Sequence, residues 1–156
     1  MQAILEVLSS YTLPPITEIS PLTEGLIHQS YLVKTEQDWY VIQGLHPKLS
    51  SEGILQDYDY VTAHLKANQY PGPLLVKTTK GQRTATSQDG QQKWRLSTYV
   101  PGETRSQVST IEEAYIGGKA LGRFHHVSST LDYTFQSTHP SHDTVGHWTR
   151  FKDALA

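Results

Sequence analysis

Five histidines crowd the last third of the chain: His125, His126, His139, His142 and His147. Zinc chemistry would need three or four such ligands on facing elements, usually at i, i+3 or i, i+4 spacing. His125 and His126 are adjacent, His139 and His142 fall in a loop, and no acidic residue is placed to complete a tetrahedral set. No metal site is expected. The chain has no Cys, which excludes disulfides, cysteine-containing zinc sites and thiol catalysis. The remaining chemistry belongs to amide and backbone groups. Gln43, in the strand-forming run YVIQ at 40–43, brings a neutral hydrogen-bond donor without charge. The turn at 23–30 holds one glycine, Gly25, and read alone is an ordinary hairpin turn. Thr98, Tyr99 and Val100 end a strand just before Pro101 and Gly102, where donors and acceptors stand at adjacent spacing on an unpaired edge.

The elements that must hold these residues follow from periodicity. Ile4, Leu5 and Leu8 have helical spacing, and Pro14-Pro15 ends that element. Three strands come next, over 16–21, 26–35 and 39–43, and read as an antiparallel meander. Ser50 or Ser51 caps a helix to about Ala67, with Ile54, Leu55, Tyr58, Val61 and Leu65 on its apolar face. Residues 74–78 and 82–86 read as a hairpin, and Asp89-Gly90 turns into the strand that ends at Val100. In that strand Trp94, Leu96 and Thr98 share one face, and Arg95, Ser97 and Tyr99 the other. Beyond Gly102 the character changes to helix. Thr110 and Glu113 have capping-box spacing, and the helix to about Leu131 is expected to bury Ala114, Gly118, Leu121, His125 and Ser128. Gly117, Gly118 and Gly122 inside it suggest close approach of another backbone. A last helix, from Val145, places Trp148, Phe151 and Leu155 together.

The fold class is therefore α+β: five to six antiparallel strands with one inserted helix, then helices, hinged at Pro101-Gly102. Composition fits a thin core, because the 37% hydrophobic fraction is low even after allowing for the nine Tyr it counts and the eleven Gly it omits. A net charge of −2 gives no electrostatic footprint for nucleic acid or an anionic membrane. The N-terminus lacks the basic start and apolar core of a signal peptide, and no apolar run approaches membrane-spanning length. A cytoplasmic location is the expectation.

Six segments in order carry a family resemblance: PLTEGLIHQSYLV at 21–33, YVIQGLHP at 40–47, VTAHL at 61–65, WRLSTYVPG at 94–102, LGRFH at 121–125 and HDT at 142–144. Together they resemble the aminoglycoside-phosphotransferase-like kinases, near the N-acetylhexosamine and homoserine kinase branch. The resemblance implies a protein-kinase-like N-terminal lobe over residues 1–100, then the hinge and the first helices of an incomplete C-terminal lobe over 101–156.

It implies ATP as cofactor, with Mg in the complete enzyme, and a small-molecule hydroxyl acceptor: a sugar, amino sugar or amino alcohol. The turn with Gly25, Leu26 and His28 would cover the phosphates. Gln43 would stand where protein kinases place a phosphate-binding Lys, and a helix carboxylate, Asp57 or else Asp59, would orient it. Val41 and Leu26 would roof the base, and Thr98, Tyr99 and Val100 would face the adenine edge with backbone groups. The family's catalytic-loop Asp and metal-binding groups have no counterpart here, so no catalytic or metal residue is assigned. The chain is expected to be an N-terminal fragment that is not competent alone. The alternative is a degenerate, non-catalytic lobe that acts as an interaction module, self-associating through its C-terminal helices.

Overall fold

A computed structural model describes residues 2–23, 25, 27–103, 107–137 and 144–155. Helix α1 (Gln2–Leu8) is followed by strands β1 (Ile16–Leu22), β2 (Gln29–Thr35) and β3 (Trp39–Gly44), then by helix α2 (Glu52–Ala67). Two-residue strands β4 (Leu75–Val76) and β5 (Ala85–Thr86) precede β6 (Lys93–Thr98). The strands form one six-stranded antiparallel sheet in the order β1-β2-β3-β6-β4, with β5 also on β6. Helices α3 (Ile111–Ser128) and α4 (Thr144–Ala154) come after the sheet. The architecture is α+β, with one helix inserted between the meander and the later strands.

The β2–β3 turn is built by Thr35. Its hydroxyl accepts from the Gln37 and Asp38 amides and donates to the Asp38 carbonyl. With the turn fixed, register follows: Tyr31 faces Ile42, which faces Leu96, which faces Val76. Because strand side chains alternate, the neighbouring positions form the other face. There Leu32, Val41, Ser97 and Leu75 make one row, and Leu22, Ser30, Gln43 and Arg95 the next.

The first face is the core. Val33, Ile42 and Leu96 are fully buried beneath Ile4, Val7 and Leu8 of α1. Tyr11, just past α1, ties this layer to the sheet: its hydroxyl donates to the Trp94 carbonyl at 3.1 Å and accepts from the Ala85 amide at 3.2 Å. The second face carries α2, whose Tyr58 ring lies under the Arg95 guanidinium at 3.8 Å. Ser51 caps α2 by accepting from the Ile54 amide. At the other end, Gln69 in the left-handed region (φ 57°) lets the Gln69 and Tyr70 amides reach the Lys66 and Leu65 carbonyls, a Schellman closure.

Two expectations are corrected. Residues 74–78 and 82–86 do not form a strand-to-strand hairpin; β4 and β5 each pair with β6, and the contact across is the Thr78 amide on the Gln82 carbonyl, returned by the Gln82 amide on Thr78 Oγ1. The wide strand β6 offers a longer ladder than either short segment could give the other. In α3, Thr110 caps the helix by accepting from the Glu113 amide, and the Glu113 carboxylate reaches back to the Ser109 amide just before the cap, but Ala114, Gly118, Leu121 and His125 are exposed, Ser128 is half-buried, and Val127 is the buried residue. Within the described residues, nothing lies within 4 Å of a Cβ added at Gly117, Gly118 or Gly122. Among the described residues helix α3 meets the rest of the chain along one edge, where Phe124 packs against Tyr70 and the Val127 carbonyl bonds His64. Helix α4 leaves Trp148, Phe151 and Leu155 exposed, with the first two stacked at 5.6 Å. No described helix is long and apolar enough to cross a membrane.

Burial lifts the Tyr11 phenol to about 12, against a smaller downward pull from its backbone hydrogen bonds. A proton held more tightly in the fold stabilises it fully below the unfolded value near 10, and that stabilisation is lost as pH rises through about 12. Tyr11→Phe is therefore expected to cost about 1–3 kcal/mol at neutral pH by leaving two buried backbone groups unpaired. Urea unfolding at pH 7 and above pH 10 should show that cost shrinking in alkali.

Candidate functional site

An open cleft of about 620 Å³ lies on the second face of the sheet. Its geometry comes from the two cross-strand rows. Val41, opposite Ser97, stands three residues of β6 and its extension from Val100 at the strand's end. Gln43, two residues farther along β3, is set about 7 Å deeper, since a strand advances roughly 3.3–3.4 Å per residue. The cleft is lined by Val41 and Leu22 above, by Tyr99, Val100 and Pro101 at the strand end, and by Gly25, Ser30 and Gln43 on the side away from it. An apolar roof, a backbone edge and a polar inner end thus share one cavity.

Of the residues expected at the site, Gly25, Val41, Gln43, Tyr99 and Val100 line this cleft. The others have different placements. Leu26 lies outside the described residues, as do His139 and His142 of the histidine series. His28 lines a neighbouring depression and not the cleft. Its Nδ1 accepts from the His46 amide at 3.2 Å, which ties the turn to the chain after β3. Burial first, and then the positive neighbours Arg95 and His46, hold its pKa below the usual histidine value.

The strand end differs from expectation in a way that matters. The Thr98 amide donates to the Leu74 carbonyl at 2.9 Å, and its Oγ1 accepts from the Leu74 amide at 2.9 Å. The Tyr99 amide donates to the Trp39 carbonyl at 3.0 Å. Both donors are consumed by neighbouring strands, so neither can serve a ligand without breaking the sheet. Val100 supplies the first N–H beyond that ladder, and Val100 borders the cleft.

The carboxylates of α2 are also engaged elsewhere, which corrects their expected pairing with Gln43. Asp57 accepts from the Tyr133 hydroxyl at 2.9 Å, the Gln136 amide at 2.8 Å, the Ser137 amide at 2.9 Å and the Ser137 hydroxyl. The loop after α3 is thereby pinned to the helix. It passes so close that a Cβ on Gly53 would sit 2.9 Å from the Gln136 carbonyl oxygen. Tyr133 adds a stack on Tyr60 at 4.2 Å. Asp59 instead pairs with Arg83 at 3.1 Å and Lys77 at 3.4 Å. Their partners lie 18 to 80 residues away in sequence, beyond the reach of local pattern.

What Gln43 does bond is its own row. Its Oε1 accepts from Arg95 Nη2 at 2.7 Å, and its Nε2 donates to Ser30 Oγ at 3.1 Å. Arg95 and Ser30 were not singled out from the sequence. The signal that finds them is register: once β3 is known to lie between β2 and β6, both stand directly opposite Gln43. Among the described residues no three His, Cys, Asp or Glu side chains gather as a metal site, and both α2 aspartates are occupied.

The fold is similar to part of two solved small-molecule phosphotransferases. No family model matches the sequence. Among solved structures, the chain is similar to amicoumacin kinase in complex with AMP-PNP, Ca2+ and Ami, at TM-score 0.61 and 15% identity over 87% of this chain and 41% of that one. It is likewise similar to spectinomycin phosphotransferase in complex with ADP and spectinomycin, at TM-score 0.56 and 14% identity, covering 87% of this chain and 42% of that one. The chain thus spans about two-fifths of the length of these neighbours.

Burial pushes the Asp57 carboxyl upward, but its four hydrogen bonds outweigh this and bring it to about 2. A depressed folded value stabilises the fold above the unfolded value near 4, and that stabilisation is lost as pH falls toward 2. Asp57→Ala should cost about 2–4 kcal/mol, as expected for removing the acceptor from several charge-assisted bonds. Urea titrations from pH 7 to pH 3 should show a lower midpoint and a flatter acid limb in the variant.

Proposed function

We propose that this chain is the ATP-binding portion of a small-molecule kinase that transfers the γ-phosphate to a hydroxyl of a sugar, amino sugar or amino alcohol. The observation that carries this reading is the cleft itself. Its apolar roof at Val41 suits a purine, the Val100 backbone suits the purine's hydrogen-bonding edge, and Gly25, Ser30 and Gln43 suit phosphate oxygens. The neighbours sharing the fold hold AMP-PNP or ADP, which supports a nucleotide here.

On this reading residues 1–100 form the nucleotide-binding lobe and residues 101–156 the hinge and the start of a helical lobe. The acceptor's oxygen bonds to the γ-phosphorus as the bond to ADP breaks, and the hydroxyl proton passes to a base. In the family the sequence resembles, that base and the metal-binding groups come from segments with no counterpart in residues 1–156. This reading leaves the acceptor unnamed. Isothermal titration should show saturable binding of ATP, with adenosine competing.

The second reading, a non-catalytic interaction module, draws on one observation: the exposed Trp148, Phe151 and Leu155 of α4. It predicts concentration-dependent self-association with no nucleotide binding. The two separate on one substitution. Val41→Trp fills the roof of the cleft and should weaken ATP binding at least about tenfold, the loss expected from blocking a purine pocket by overpacking. Its melting temperature should stay close to the parent's, because Val41 borders an open cleft. On the module reading the same substitution changes nothing that titration can detect.

A further inference from the structure

Arg95 is an unusual cation for this sheet. Lys34 pairs with Glu18, Lys77 with Asp59, and Arg83 with both Glu52 and Asp59. Among the described residues these three are the ion-paired cations. Arg95 lies deeper, stacked on Tyr58, and none of the ion pairs among the described residues includes it. Its Nε is buried with no hydrogen-bond partner among them. Burial lowers its pKa, and the raising influence beside it is Tyr58, a phenol and not a carboxylate. A half-buried charge with no counter-ion among the described residues is a standing cost to the fold. A stack on an aromatic ring and one bond to a neutral amide offset only part of it.

The bond to Gln43 is directional. A guanidinium has only donors, so it accepts only the oxygen end of the Gln43 amide. The amide nitrogen is thereby turned the other way, where one of its hydrogens reaches Ser30 Oγ at 3.1 Å. The second hydrogen remains for an acceptor in the cleft that Gln43 lines. The row Arg95, Gln43, Ser30 thus runs donor to acceptor in a single sense, away from the charge and toward the cavity.

We infer that Arg95 supplies from β6 the positive charge for the nucleotide's phosphates that β3 lacks, acting through the Gln43 amide that it orients. The inference rests on the nucleotide reading proposed above. Arg95 is a positioning residue: the phosphate oxygen accepts from Gln43 Nε2, and the guanidinium behind the amide strengthens that bond and gains the counter-charge it otherwise lacks. The ligand class is a purine nucleoside di- or triphosphate. A nucleoside without phosphates gains nothing from Arg95.

The test is isothermal titration of the 156-residue chain with ATP and with adenosine, at low and high salt. Arg95→Gln should weaken ATP on the order of tenfold or more, as for loss of a charge-assisted contact, while adenosine affinity is unchanged. The salt dependence of ATP binding should fall with it. Gln43→Lys combined with Arg95→Gln returns a cation to the directly opposite position on β3, and should restore the preference for ATP over adenosine. Equal weakening of both ligands by Arg95→Gln, or no loss for ATP, overturns the inference and leaves nucleotide binding standing. A parent chain that binds neither ligand overturns the nucleotide reading itself, and this inference with it. If Arg95→Gln fails to fold, the double variant decides: a restored ATP preference supports the inference, and a lost one overturns it.

Discussion

The pairing of β3 with β6 is the constraint on which the rest of the structure depends. It sets Ile42 against Leu96 in the core and Val41 against Ser97 on the other face. In the same register Gln43 meets Arg95, and β6 ends where Val100 can border the cleft. A slip of one residue would move each of these side chains to the wrong face. Two outside contacts hold the pairing in place: the Tyr99 amide on the Trp39 carbonyl at one end, and the Leu45 amide on the Lys93 carbonyl at the other. The core and the cleft are therefore two sides of a single ladder.

Helix α2 shows how the same fold can redistribute its charges. A carboxylate from the helix is the simple way to neutralise a polar group on the sheet, and α2 has two candidates in Asp57 and Asp59. Neither is spent that way. Asp57 holds the loop after α3 against the helix, and Asp59 holds Arg83 and Lys77. The helix meets the sheet instead through Tyr58 and the Arg95 guanidinium. The loop gains four bonds to a charged acceptor, which tie the segment after α3 to α2.

Much of this could be read from the chain beforehand, and what could not has a common cause. Alternation and turn chemistry located β3 and β6, while the family resemblance, and not periodicity, grouped Val41, Gln43 and Val100 as expected site residues. Capping residues located the start of α2 at Ser50 or Ser51, of which Ser51 is the cap, and the start of α3 at Thr110. The misreadings all involve partners distant in sequence. Thr98 and Tyr99 seemed open because Leu74 and Trp39 belong to other strands. Asp57 seemed free because Tyr133, Gln136 and Ser137 come almost eighty residues later. Periodicity in α3 identified an apolar stripe, but a stripe states what prefers burial and not whether anything covers it. The Gln43–Arg95 pair was half visible: the sidedness of Arg95 was legible, and the strand order that completes it was not.

The central claim is that one cleft seats a purine against Val100 and its phosphates against Gln43. Amide chemical shifts of the isotope-labelled chain, followed during titration with a non-hydrolysable ATP analogue, test it most directly. The account predicts saturable shifts confined to the Val100 backbone, the Gly25 turn and the Gln43 side-chain amide, with Thr98 and Tyr99 amides retaining their sheet bonds. Shifts that fail to saturate, or that gather on α4 and leave Val100 and Gln43 unmoved, would contradict it.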